Sequence, residues 1–346
     1  MKESKNGKLK AAIIGAGIYG KVHARIYSEI PYVETVAICD IDQEKATQVA
    51  KEFNIPQIFT DYNELLKKSG CDFVAITTPD HVHGAITIAA ANAKKHIILE
   101  KPFATKRDDI IKMREAIFCN GIRAMCDLPN RSSQPFAITK QMIDSGEYGK
   151  VYSMYIRLND SKSVATDMLS WSSFSSPLWF LGSHSLDLIS YLCGSRPKMV
   201  YALSRKGILQ AMGIDTVDIY QTCIEFENGC IAQMENGWIV PNGNTVVYDL
   251  KCNILCEHGA FNINASDSDM LKVISEQKTS TPGCIARSII NNRIEGFVPI
   301  NIQSFVDALY TDKPFNITID EAADSCMALL AIIESALKGE PIHVQY

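Results

Sequence analysis

His184 and Asp187 stand three residues apart in SSPLWFLGSHSLDLISYL, residues 175–192, among Leu178, Trp179, Phe180, Leu181, Leu186, Leu188 and Ile189. Burying polar groups without partners is costly, so either the two satisfy each other or a ligand satisfies them. Their spacing puts both on one face of a helix. A histidine in that setting is suited to move a proton at a substrate hydroxyl near neutral pH. Asp187 would then hold the imidazole or a hydroxyl; the plainer reading is a helix-start carboxylate stabilised by the dipole. A second proton carrier is Lys101 in LEKPF, whose backbone the following Pro102 restricts. Lysine takes a proton from a hydroxyl when partial burial and a nearby positive charge favour its neutral form. The plainer reading is a solvated lysine at a strand end.

Another group of residues is arranged for phosphate. From Leu9 the chain reads LKAAIIGAGIYGKVHARIYSEI, a short apolar run, a GxGxxG loop and a segment of helical period. Gly15 permits the tight turn, Gly17 lets the backbone approach a pyrophosphate, and Gly20 lets the helix pack on the strand. Ile18 and Tyr19 complete the loop, and the helix N-terminus faces the phosphates. TVAICD then ends in Asp40, 20 residues after Gly20, where a carboxylate accepts hydrogen bonds from an adenosine ribose. Asp40 would repel a 2′-phosphate and Ile41 offers no cation to neutralise it, so NAD is expected rather than NADP. Lys45 is the one counter-indication.

The elements that must position these groups follow from periodicity. In CDFVAITTPDHVHGAITIAAANAKKHIILEKPF, Phe73 to Thr77 reads as a buried strand, His83 to Ala93 as a helix and His96 to Leu99 as a second strand. A helix between two strands implies a parallel crossover. Thr78 and Glu100 therefore sit, with Pro79 and Lys101, on the carboxyl edge of one sheet, where ligands of open α/β sheets bind. Beyond residue 128 the pattern changes. Strands are read at Tyr152 to Leu158, Lys198 to Ser204, Asp218 to Glu225, Cys230 to Ile239 and Val247 to Leu255, with FENGC and CEHGA as hairpin signals. Helices are read at Asn301 to Tyr310 and Glu321 to Lys338, the latter stopped by Gly339 and Pro341. The fold class is thus α/β, with a Rossmann parallel-sheet domain over 1–128 and an α+β domain over 129–346 built on a mainly antiparallel sheet.

Composition narrows the partners. The 346 residues are 47% hydrophobic and 21% charged, with a net charge of -5, which describes a globular chain without the basic field that nucleic acid or an anionic membrane would need. A small-molecule partner is expected. The polar start MKESKNGKLK and the absence of a long apolar run predict a cytoplasmic protein. Eleven scattered cysteines read as free thiols in a reducing compartment. Cys252, Cys256 and His258 suggest zinc, but their period of two is that of one strand face running into a turn, and no metal is expected.

Taken together, these segments resemble the glucose-fructose oxidoreductase and inositol dehydrogenase family, Gfo/Idh/MocA. The likeness runs through AAIIGAGIYG, VAICDIDQEKA, TTPDHVHGAITIAAANAKKHIILEKPFA, SGEYGKV and GSHSLDLISYLCG to the final helix. It implies a Rossmann domain followed by an open-faced sheet with the substrate pocket on one side and a homo-oligomer interface on the other. It implies NAD-dependent oxidation or reduction of a secondary alcohol in a sugar, glycoside or cyclitol. By the same resemblance Lys101 is the catalytic lysine, His184 the second catalytic residue, and Pro79 and His83 lie near the nicotinamide. Relatives commonly carry aspartate four residues before the histidine, a position held here by Phe180, with Asp167 as a stand-in. Arg131 in NRSSQP matches the family's arginine-bearing segment, and Trp171 and Trp179 are candidates to stack on a sugar face. Two other functions compete: a glycoside-cleaving enzyme that retains NAD and oxidises transiently, and a non-enzymatic NAD-binding regulator, against which the EKP triplet and His184 argue.

Overall fold

Near-continuous apolar runs make strands buried on both faces, and the first part of the chain consists of such runs separated by helices. The computed structural model describes residues 7–244, 246–266, 271, 273–274, 276–277, 279–280 and 285–346, and these divide into two units. In the first, β1 (Leu9–Ile14), α1 (Ile18–Glu29), β2 (Val33–Cys39), α2 (Gln43–Phe53), β3 (Gln57–Phe59), α3 (Tyr62–Lys68), β4 (Phe73–Ile76), α4 (His83–Asn92), β5 (His96–Glu100), α5 (Arg107–Cys119) and β6 (Ala124–Asp127) alternate. The sheet order is β3-β2-β1-β4-β5-β6, and every pairing is parallel. The order reverses between β1 and β4, and this switch point opens a crevice beyond the strand ends. Residues 289–323 belong to the same unit. Helix Phe297–Tyr310 packs Phe305 on Phe73, ring centroids 5.5 Å apart.

The second unit is built on half-buried strands. It contains α6 (Gln134–Asp144), β7 (Val151–Ser161), α7 (Ser183–Cys193), β8 (Pro197–Arg205), β9 (Ile219–Phe226), β10 (Ile231–Val240), β11 (Tyr248–Cys256) and β12 (Ala260–Asn264). The seven-stranded sheet runs β12-β11-β7-β10-β9-β8, with strand Ile342–His343 at the β8 edge. Alternation is clean in β10: Ala232, Met234 and Asn236 are buried while Ile231 and Gln233 are exposed, as in a sheet with one covered and one open face. The FENGC and CEHGA hairpins form as read from sequence, between β9 and β10 and between β11 and β12. One pairing departs from the antiparallel expectation. β7 runs parallel to β10 because the chain leaves β7 through the long crossover that contains α7, not through a tight turn.

Candidate active site

In the first unit the glycines behave as their spacing requires. Gly15 has φ +108, and a Cβ there would lie 2.7 Å from the Thr77 carbonyl oxygen. A Cβ on Gly20 would lie 1.9 Å from the Gly15 carbonyl oxygen. Gly17 is different: a Cβ there would meet nothing within 4 Å, so the space its hydrogen leaves faces outward. Gly17 is also the N-cap of α1 and supplies no side-chain cap, leaving amide N–H groups for an anion. Ile18 is 52% exposed on the same loop, and Tyr19 is half-buried. Thr77 Oγ1 ties the β4 end to this loop by donating to the Gly15 carbonyl at 2.7 Å.

Asp40 follows β2 and reaches the glycine loop after the neighbouring strand β1. Its Oδ2 accepts from the Ala16 amide at 2.6 Å and its Oδ1 from the Asp42 amide at 2.9 Å. The carboxylate is thereby fixed beside the glycine loop, with lone pairs left over that could accept from a diol. Lys45, the counter-indication, sits 3.4 Å from Asp42, whose carboxylate caps α2. Ile41 is 94% exposed, an apolar side chain where a 2′-phosphate would need a cation. The loop, the uncapped helix end and Asp40 together fit NAD.

Lys101 and Thr78 are half-buried at the ends of the loops that follow β5 and β4, as is Pro79. The Lys101–Pro102 peptide is cis. His83 is fully buried, with Nδ1 2.8 Å from the Pro102 carbonyl and Nε2 3.0 Å from the Thr78 carbonyl. Burial lowers its pKa, outweighing the two carbonyls that favour the charged ring. The ring thus lies between the two loops that present Thr78 and Lys101, its one N–H donating to one of the two carbonyls.

Glu100, expected at the cofactor, is turned into the interior at 7% exposure. His23 Nε2 lies 3.3 Å from Glu100 Oε1 and 3.8 Å from Asp127 Oδ2, and its Nδ1 lies 2.9 Å from the Tyr27 hydroxyl. Asp127 accepts at 2.6 Å from Asn301 Nδ2. Burial, reinforced by the charge and hydrogen bond of Glu100, raises the Asp127 pKa well above the usual carboxylate value. Burial lowers the His23 pKa to about 4. Burial therefore favours the protonated form of Asp127 beside Glu100 and the neutral form of the His23 ring, whose Nδ1 faces Tyr27 and whose Nε2 faces the two acids. Sequence reading missed His23, Asp127 and Asn301. The available signal was positional: Asp127 ends β6 as Glu100 ends β5, so both fall on one sheet edge. Among the described residues His23, Glu100 and Asp127 are the one group with metal-ligand spacing, and their contacts with one another, with Tyr27 and with Asn301 account for it.

In the second unit, the opening histidine finds its place. From Ser175 to Ile189 every residue is buried except Phe180 and His184. Leu178–Gly182 is a π-helical turn that runs into α7, a distortion frequent at functional sites. Four residues is close to one turn of either helix, so Phe180 and His184 share the half-buried face. Asp187 and Arg131 depart from expectation. Arg131 Nε lies 2.9 Å from Asp187 Oδ2 and one of its terminal nitrogens 2.6 Å from Oδ1; both residues are buried. Arg131 also lies 4.7 Å from the Tyr191 ring centroid. The spacing that put Asp187 on the histidine face left out a guanidinium 56 positions earlier, which fixes the carboxylate inside the unit. Trp179 is buried, Trp171 half-buried and Asp167 exposed. Cys252 and Cys256 lie along β11, and His258 in the turn that follows.

Comparison with known proteins agrees with this fold. Residues 9–126 match an oxidoreductase family with an NAD-binding Rossmann fold, Gfo/Idh/MocA, and residues 136–262 match the Gfo/Idh/MocA C-terminal domain. The chain is 30% identical over 233 residues to the uncharacterised oxidoreductase YrbE of Bacillus subtilis, covering 66% of this chain and 67% of that protein. It is 24% identical over 346 residues to the scyllo-inositol 2-dehydrogenase (NAD(+)) of the same organism, covering 97% and 96%. The crystal structure of myo-inositol 2-dehydrogenase from Lactobacillus plantarum superposes with a TM-score of 0.85 at 22% identity, over 98% of this chain and 100% of that one.

Proposed function

Because the chain belongs to the Gfo/Idh/MocA family and is an NAD-dependent oxidoreductase, we propose that it oxidises a secondary alcohol of a sugar, glycoside or cyclitol, with Lys101 and His184 as its proton-transfer groups. NAD, when bound, supplies the hydride acceptor. The glycine loop and Asp40 hold it, and His83 fixes the loops that carry Thr78 and Lys101. As the carbinol carbon gives up hydride, the hydroxyl proton passes to a lysine or an imidazole and a ketone remains. The observation that carries this reading is the burial pattern of residues 175–189, an apolar segment that leaves only one imidazole and one aromatic ring partly accessible. The similarity to a scyllo-inositol 2-dehydrogenase (NAD(+)) supports the cyclitol side of the substrate class.

The test is a panel of sugars, glycosides and cyclitols offered with NAD while nicotinamide absorbance is followed. Reduction by at least one member is expected; no reduction by any would overturn the reading. Among the described residues no helix is long and apolar enough to cross a membrane. The scattered thiols support a cytoplasmic setting. The open sheet face of the second unit carries Leu203, Ile231 and Leu255, 57%, 56% and 58% exposed, and supports a homo-oligomer formed through that face.

A further inference from the structure

We propose that Asn236 is a positioning residue for the reaction, its side-chain amide holding the short stretch of backbone that bears His184. This rests on the reading of His184 as a proton-transfer group. Asn236 is fully buried in β10, on the covered face that also carries Ala232 and Met234. Its Nδ2 donates to the Leu158 carbonyl of β7 at 3.1 Å and to Ser185 Oγ at 2.9 Å. A carbonyl only accepts, so the contact with Leu158 fixes which way the amide points. The other end of the amide lies against the residue before α7: a Cβ on Gly182 would be 3.2 Å from Asn236 Oδ1. One side chain thus touches residues 182 and 185, and His184 lies between them.

Stability alone gives little reason for an asparagine here. Taking an amide out of water costs free energy that its hydrogen bonds only offset, and among the described residues no donor reaches its Oδ1. A hydrocarbon, as at the neighbouring covered positions, would fill the face without that cost. What the amide adds is a fixed orientation for α7. Successive helix residues are about 100° apart around the axis, so Ser185 lies about 100° to one side of His184 and Asp187 about 60° to the other. Asn236 holds the first and Arg131 the second, which keeps α7 from rolling either way. A roll of about 10° would carry a side-chain tip, about 6 Å from the axis, through about 1 Å. Misplacement on that scale can cost a reaction about a hundredfold.

The experiment measures the single-turnover rate of nicotinamide reduction, with NAD and whichever of myo-inositol, glucose and methyl glucoside the wild type turns over fastest. The variants are Ser185→Ala, Asn236→Leu, and each of these combined with His184→Asn. Ser185→Ala removes the Asn236 contact at α7 and leaves the one at β7. It is expected to lower the rate about tenfold while substrate KM and NAD Kd stay within about threefold. In the His184→Asn background the same change should cost less than about twofold, because no imidazole is left to place. Asn236→Leu should behave alike where NAD binding by fluorescence shows it folded, and Ser185→Ala decides the matter where it does not. A loss below about threefold in Ser185→Ala, or a loss of similar size with and without His184, overturns this inference and leaves the dehydrogenase reading standing. If His184→Asn itself reacts within about tenfold of wild type, or no sugar, glycoside or cyclitol reduces NAD, the reading of the site falls and this inference with it.

Discussion

At the residue scale, the groups that handle the cofactor and those that handle protons are separable, and this can be measured. Lys101 follows β5, whereas the cofactor cradle is made by Gly15, Gly17, Gly20 and Asp40 on other elements. Lys101→Ala is expected to lower turnover about a hundredfold or more, the scale of a lost general acid-base group. NAD affinity, read by fluorescence titration, should stay within about threefold because that variant leaves transition-state chemistry without its proton carrier but leaves the cradle alone. A variant that binds NAD normally and turns over within about tenfold of wild type would remove Lys101 from the chemistry. The glycines and Asp40 were legible in sequence because their physical roles are local. Glu100 was not. What decides its orientation is His23, 77 positions away, and Asp127 on the neighbouring strand, and no local spacing announces partners that only the parallel sheet brings together.

At the element scale, strands and helices of the first unit were legible because buried parallel strands are continuous apolar runs and their glycine and proline stops are strong signals. The π-helical turn Leu178–Gly182 was not. Its apolar residues read equally well as ordinary helix, and the extra residue shows only in backbone hydrogen bonding. It is on that turn and the start of α7 that Phe180 and His184 stay half-buried on one face. The βα turn of the glycine loop gives a sharper prediction, since its last two glycines serve different ends. In Gly20→Ala the new methyl would collide with the Gly15 carbonyl, so the turn must open and the melting temperature should fall. In Gly17→Ala the methyl meets open space, so melting without cofactor should be nearly unchanged while the Kd for NAD rises about tenfold or more from lost close approach. Equal losses of stability in the two would mean that Gly17 is a packing glycine and not part of the phosphate cradle.

At the scale of the whole molecule, the sequence shows where the pattern changes, near residue 128, but not that residues 289–323 rejoin the first unit. Helix Phe297–Tyr310 has an apolar stripe that would suit either core, and its choice is made by Phe73 and Asp127, contacts without a local signature. The open sheet face makes a prediction about assembly. Ile231 and Leu255 both pair with Ser153, so they flank one row of an exposed surface. Ile231→Glu, which would place a charge in any interface there, should shift the solution mass measured by light scattering to that of a monomer, with the far-ultraviolet spectrum unchanged. An unaltered mass would assign the oligomer contact to another surface.

The buried cluster of the first unit makes stability depend on pH in two opposite ways. His23 has its pKa lowered from 6.5 to about 4 by burial, so between those values the unfolded chain binds a proton that the folded chain refuses, and stability falls as pH falls. The window is worth about 3 kcal/mol, at 1.36 kcal/mol per pKa unit. Asp127 has its pKa raised, so above 3.8 the unfolded chain releases a proton that the folded chain keeps, and stability falls as pH rises. Between about 4 and 6.5 the two slopes oppose each other. Asp127→Asn should remove it. The amide can donate to Glu100 where the protonated acid did, and its oxygen can still accept from Asn301 Nδ2, so the cluster keeps its geometry without a titrating proton. The variant's melting temperature relative to wild type should therefore rise as pH is raised above 3.8. A difference that stayed constant or narrowed as pH rose would show that Asp127 is ionised in the folded protein and that Glu100 is held by charge repulsion and His23 alone.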